Sequence, residues 1–185
     1  MACEIKYTIF CNYLLQSGLL LLMLNNNVTN GTIFKLTNAV CESHNKSWVE
    51  INQCRLKAVQ RNKAILNINL YILYPAYDIK ARAQILTKAN GYKPWLFDVT
   101  VDVCKFMRKN NNPTFKLIFD NFKNFTTLNH TCPYYGNQIV KDYYPTVNRL
   151  IKFPTADYLF ILTFIFHKQK TIEVKVYFSI VEDLI

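Results

Sequence analysis

The sequence predicts a mainly β domain built from two antiparallel sheets packed face to face, with one short amphipathic helix. Three observations carry that prediction. Four segments alternate apolar and polar residues with a period of two. One segment alone spaces its apolar residues at three and four, as a helix face requires. Turn-forming residues such as Asn90-Gly91 separate the segments. The 185 residues suit one domain, and a chain that is 51% hydrophobic and 15% aromatic is too apolar to stay disordered.

Thr32 to Val40 is predicted as a first strand, and Trp48 to Val59 as a second, joined to it through the Cys41–Cys54 segment. Ala64 to Tyr74 places Leu66, Ile68, Leu70 and Ile72 on one face, and Pro75 ends it. Ile79 to Lys88 opposes Ile79, Ala81, Ala83 and Ile85 to Lys80, Arg82 and Gln84. Trp95 to Cys104 then sets Trp95, Phe97, Val99, Val101 and Val103 against Leu96, Asp98, Thr100 and Asp102. Pro113 suits the first position of the helix, which carries Phe115, Ile118, Phe119 and Phe122 on one stripe. Gln138 to Tyr144 reads as a short strand. Tyr158 to His167 is apolar on both faces, as a central buried strand would be, and Thr171 to Val181 alternates again.

Leu14 to Leu24 is an apolar run followed by Asn25-Asn26-Asn27. It reads as a secretory signal occupying residues 1–31, with cleavage near 25–31, and leaves a single secreted domain at 32–185. An uncleaved signal anchor is the alternative. The run falls short of the roughly 20 apolar residues of a membrane span. Beyond it lie Cys41, Cys54, Cys104 and Cys132. Four cysteines allow three pairings, and Cys41–Cys54 with Cys104–Cys132 is favoured because each pair closes a local unit. N-x-[ST] sequons stand at Asn27, Asn30, Asn45, Asn124 and Asn129, of which the first two leave with the signal. Asn45, Asn124 and Asn129 are therefore the expected glycosylation sites of an extracellular chain.

The residue pattern excludes several functions. The net charge of +10 is spread along the chain, and no block of basic residues forms an arm for nucleic acid. Such a field serves solubility, or favours anionic partners in general. Lys93, Arg108 and Lys109 are candidates to steer an anionic head group. No Gly-rich phosphate loop and no nucleophile elbow occurs. Asp98 and Asp102 share a strand face, but four residues of strand separate them by roughly 13 Å, beyond the roughly 5–9.5 Å of a glycosidase pair. They read as solvent-facing charges. Without a C-x-x-C, and with only His44, His130 and His167, no metal site is expected. The chain is read as a non-enzyme with no cofactor.

Several ordered strings resemble one family. They are Cys54-Arg55-Leu56-Lys57-Ala58-Val59, Asn90-Gly91-Tyr92-Lys93-Pro94-Trp95-Leu96, Val99 to Phe106, Asn129-His130-Thr131-Cys132-Pro133-Tyr134 and Phe153-Pro154-Thr155-Ala156-Asp157-Tyr158. They are similar to those of an insect family of small secreted proteins with a domain of unknown function, whose relatives include the chemosensory B-type proteins. Through it, residues 32–181 are distantly similar to the ML lipid-recognition fold, which includes the ganglioside activator protein. The resemblance implies an immunoglobulin-like, ML-like sandwich that holds a lipid or other small hydrophobic ligand, with a chemosensory role and at most peripheral membrane contact. Trp95, Phe97, Phe115, Phe119, Phe122, Phe160, Phe164 and Phe178 lie on apolar faces and are the expected ligand-binding residues, the helix serving as a lid. The alternative is a solid core and an extracellular interaction module that meets a cell-surface receptor through its outside.

Overall fold

A computed structural model describes residues 31–145 and 153–183. The expected signal segment, with Cys3, Cys11, Asn27 and Asn30, lies outside the described residues. Eight strands run antiparallel among the described residues: β1 (Gly31–Ser43), β2 (Val49–Gln60), β3 (Lys63–Ala76), β4 (Ile79–Lys88), β5 (Tyr92–Asp102), β6 (Tyr134–Tyr143), β7 (Ala156–Phe166) and β8 (Gln169–Asp183). Two helices, α1 (Val103–Lys109) and α2 (Pro113–Phe122), and a 3₁₀ turn (Lys123–Phe125) separate β5 from β6. One sheet has the order β1-β8-β7-β4-β5, the other β2-β3-β6. This is the two-sheet architecture that the alternating pattern predicts.

Strand placement follows burial demand. β7, apolar on both faces, is the middle strand of the five, paired with β4 on one side and β8 on the other. The alternating strands present Ile79, Ala81, Ala83 and Ile85 of β4, Ile172, Val174, Val176, Phe178 and Ile180 of β8, and Leu66, Ile68, Leu70 and Ile72 of β3 to the core. Charged residues occupy the outer face of the large sheet. There Asp98 accepts hydrogen bonds from Arg82 and from Gln84 across the β4–β5 pair, which supplies the partner that its own strand lacks. Asn90 and Gly91 close the β4–β5 hairpin with positive φ, as their pairing suggests. His167 and Lys168 make the β7–β8 turn with positive φ although neither residue type advertises it.

Three expectations need correction. Val103 and Cys104 do not continue β5: the strand stops at Asp102 and α1 begins. Asp102 is exposed, as expected, and is also the N-cap, its carboxylate accepting from the Lys105 amide at 2.8 Å. The expected single helix is therefore the second of two. Asn112 caps it by accepting from the Phe115 amide at 2.9 Å, with Pro113 in the first turn as predicted. Lastly, β6 begins at Tyr134, four residues before the expected start at Gln138.

Cys41 is bonded to Cys54 and Cys104 to Cys132. Each pair is close in sequence, and Cys41–Cys54 joins the two sheets. Cys41 lies on β1 of the large sheet and Cys54 on β2 of the small one. Cys104 lies on α1, which continues β5, and Cys132 stands just ahead of β6. Replacing Cys41 and Cys54 together by alanine is expected to cost about 3 kcal/mol of stability, read by urea denaturation. Asp102→Ala, which leaves the first turn of α1 without its acceptor, is expected to cost about 1 kcal/mol in the same assay.

Candidate functional site

The sheets do not close on each other along their whole length. Between them lies a cavity of about 510 Å³ with an almost wholly apolar lining. The large sheet contributes Phe34 and Leu36 of β1, Ile85 of β4, Leu96 and Phe97 of β5, Phe160, Leu162 and Phe164 of β7, and Val174, Val176 and Phe178 of β8. The small sheet contributes Leu66, Ile68 and Leu70 of β3 with Val140 and Tyr143 of β6. Helix α2 covers one side with Leu117, Ile118 and Phe122 beside the polar Thr114 and Asn121. The lining residues that most reach solvent are Leu96, Thr114 and Leu117, which places the mouth between β5 and α2.

A smaller chamber of about 50 Å³ adjoins the cavity, and Leu70, Phe122, Leu128, Leu162 and Phe164 line both. Its further wall consists of Ile72, Ile79, Val103, Tyr134, Phe166 and Ile172, all buried, together with Gln138. At the opposite end an aromatic stack shuts the sandwich. Phe34 stacks on Phe178 with centroids 4.8 Å apart, Phe178 on Tyr158 at 5.2 Å, and Trp95 leans on Tyr158 and Phe153 at 5.1 and 5.3 Å.

The eight aromatic residues singled out from sequence divide accordingly. Phe97, Phe160 and Phe178 line the large cavity, Phe115 and Phe119 the small chamber, and Phe122 and Phe164 both. Phe115 and Phe119 also pack edge-on against buried Phe106 of α1, which braces α2 from behind. Trp95 lines neither space. It is 37% exposed and belongs to the end stack. Its neighbour Leu96, assigned by parity to the outer face, lines the cavity instead. The cause is a bulge: Gln84 pairs with Asp98 and Leu86 with Pro94, so Trp95, Leu96 and Phe97 stand opposite Ile85 alone. Sequence reasoning also passed over Gln138, although the two-residue spacing Tyr134, Gly136, Gln138, Val140 marks it as inward-facing.

None of the remaining candidates lines either space. Arg108 and Lys109 occupy the last turn of α1, where positive charge complements the helix dipole. Lys93 is exposed on β5. Asn45 sits half-buried in the β1–β2 connection, its side chain accepting from the Ser47 hydroxyl, whereas Asn124 and Asn129 are exposed. Spacing in sequence gave no hint that Glu42, His44 and Glu173 converge within 4.8 Å. Burial raises the Glu173 carboxyl, but hydrogen bonds from Lys170 and Lys175 outweigh it and bring the group down to about 2. Two ammonium groups at 2.6 and 2.9 Å thus already neutralise that carboxylate. Among the described residues no helix is long and apolar enough to cross a membrane.

Burial pushes the Tyr134 phenol up to about 12, and the phenols of Tyr143 and Tyr144 move in the same direction for the same reason. An unfolded tyrosine loses its proton near pH 10, whereas folded Tyr134 keeps it until about 12. Its contribution to stability is therefore complete below about pH 10 and is lost as pH climbs towards about 12. Thermal unfolding followed across that window is expected to show falling stability, with a shallower fall in Tyr134→Phe.

Comparison with known proteins bears on the family and the fold. A family profile described as "Protein of unknown function (DUF1091)" matches residues 81–160. No curated protein matches the chain. Among solved structures, a Niemann-Pick type C2 protein from the Japanese carpenter ant is 11% identical over 75% of this chain and 96% of its own, with a TM-score of 0.37. Chicken MD-1 complexed with lipid IVa is 14% identical over 84% of this chain and 99% of its own, with a TM-score of 0.31.

Proposed function

We propose that this chain is a secreted, non-enzymatic binding protein for a lipid or other small hydrophobic molecule, held between its two sheets. The carrying observation is the apolar cavity of about 510 Å³, within the roughly 300–1,000 Å³ of small-molecule sites. A ligand there gains about 25 cal/mol for each Å² of apolar surface taken from water. An interior of this kind weighs against the solid-cored interaction module.

Two disulfides support an oxidising compartment. Residues 1–31 as a signal segment and glycans on Asn45, Asn124 and Asn129 complete the extracellular reading. The chemosensory role that the family resemblance implies would use this same cavity, with a receptor as the further partner.

Nile red, a neutral apolar dye, is the direct probe. It is expected to bind the secreted full chain with micromolar or tighter affinity and to gain fluorescence. A ligand at 100 times its Kd is expected to add about 2.7 kcal/mol of stability. Ile118→Trp, which projects an indole into the cavity, is expected to weaken dye binding at least tenfold while cooperative melting persists. Absence of both dye binding and any melting shift across varied lipids would overturn the reading.

A further inference from the structure

We infer that the outer face of the small sheet docks a sulfated polysaccharide, held along the β2–β3 hairpin by Arg55, Lys57, Arg61 and Lys63 and on β6 by Lys141. The inference goes beyond the cavity and does not depend on what fills it. Leu66, Ile68 and Leu70 of β3 turn inward, and Cys54 of β2 is tied across to Cys41. Strand parity therefore sends Arg55 and Lys57 outward, where both are exposed. Arg61 lies in the hairpin turn beside Asn62, which has positive φ, and Lys63 opens β3 opposite Gln60. Lys141 is exposed on β6, at the other edge of the sheet.

Ion pairs are unevenly distributed among the described residues. On the large sheet Arg82 meets Asp98, Lys88 meets Asp157, and Lys175 meets Glu42 and Glu173. On α2, Lys116 shares Asp120 with Lys123. No ion pair among the described residues involves β2, β3, β6 or the turn between β2 and β3. Those segments hold five cations against two carboxylates, Glu50 and Asp142. Glu50 stands opposite Tyr71, at the end of β2 away from the hairpin turn. The partners that the cations do have are neutral. The Gln53 side-chain oxygen accepts from Arg55 Nε at 2.6 Å, and Lys63 Nζ lies 5.0 Å from the centre of the Tyr144 ring. Such contacts fix positions without removing charge. The face keeps a positive field that an external anion relieves.

The spacing of the charges defines the partner. Along the hairpin, Arg55 and Lys57 are separated by roughly 7 Å and Arg55 and Arg61 by roughly 15–20 Å. Lys141 lies two strands from Arg55, at roughly 10 Å. A single sulfate reaches one or two of these groups, whereas a chain of repeating sulfates reaches all of them, and guanidinium groups pair with such anions through two hydrogen bonds. The amides Gln53, Gln60 and Asn67 among the charges suit sugar hydroxyls. An anionic bilayer suits the face less well, because stable interfacial binding adds apolar burial to charge. Between Arg55 and Lys63 the one exposed large hydrophobic side chain is Val59. Leu96 and Leu117, the apolar side chains that would enter a bilayer, stand at the cavity mouth between β5 and α2.

Heparin affinity tests this on the secreted full chain. The wild-type chain is expected to be retained on immobilised heparin at about 0.15 M salt, and to bind a soluble heparin oligosaccharide about tenfold more tightly than its desulfated form. Arg55→Gln/Lys57→Gln/Arg61→Gln is expected to weaken heparin about tenfold or more, with Nile red affinity and melting unchanged. Lys80→Gln/Lys105→Gln/Lys168→Gln removes the same charge from exposed positions outside the face and is expected to weaken heparin less than about threefold. Lys63→Gln/Lys141→Gln, expected to weaken heparin about fivefold, serves as the second variant should the first triple variant fail to melt cooperatively. No heparin binding, equal loss in the two triple variants, or indifference to desulfation overturns the inference. Binding to phosphatidylserine vesicles without binding to heparin overturns it too and gives the face to a membrane. Nile red reads the cavity separately, so its failure to bind sinks the cavity reading and leaves this inference standing.

Discussion

Two covalent ties hold the framework, Cys41–Cys54 between β1 of the large sheet and β2 of the small one, and Cys104–Cys132 between α1 and the loop that leads into β6. They matter because the interior between those sheets is not filled by side chains. Interior volume that side chains leave open forgoes packing contacts. A sandwich of this kind would gain by collapsing or slipping. The disulfides oppose both, since each restricts the unfolded chain, and Cys41–Cys54 holds a point on one sheet against a point on the other. The aromatic stack of Phe34, Phe178 and Tyr158 adds a rigid wall at one end. An open interior and an oxidised framework are thus parts of one design, because the first is hard to maintain without the second.

Helix α2 has a different place in this economy of contacts. It is not part of either sheet, and it covers the side between β5 and the β6 edge. Its apolar side chains face two ways: Phe115 and Phe119 brace against Phe106 of α1, while Phe122 and Ile118 line the cavity. The brace depends on α1, whose first turn Asp102 caps as the chain leaves β5. A charge that looks like surface decoration in a strand therefore sets the position of the wall nearest the mouth. With Leu117 and Leu96 both at that mouth and both partly exposed, the apolar lining reaches solvent where a hydrophobic molecule must enter.

What could be read from sequence was what repeats. β3, β4 and β8 announce their inner faces through four or five successive pairs, and β7 announces its central place by lacking a polar face altogether. Asn112-Pro113 marks the start of α2 because both residues act locally, one through its side chain and one through its ring. Single events were illegible. Helix α1 is only seven residues long, too short for a helical period to outvote the strand parity running through Val99, Val101 and Val103. The bulge opposite Ile85 is a matter of register between two strands, so no property of Leu96 itself could reveal that it points inward or that Trp95 moves to the end stack. That Cys41 and Cys54 join different sheets depends on topology, which loop length alone does not carry.

The same distinction bears on where specificity can reside. An interior made of Leu, Ile, Val and Phe attracts apolar molecules in proportion to area and discriminates weakly among them, since a methylene more or less is worth only about 1–3 kcal/mol in such a pocket. Discrimination by chemistry requires a polar group that is costly to leave unmatched. Among the described residues, Gln138 beside the small chamber has a side-chain oxygen, Oε1, that is buried and meets no protein donor. Thr114 and Asn121, by contrast, stand near the mouth, where α2 meets the opening and water can replace a ligand's group at little cost.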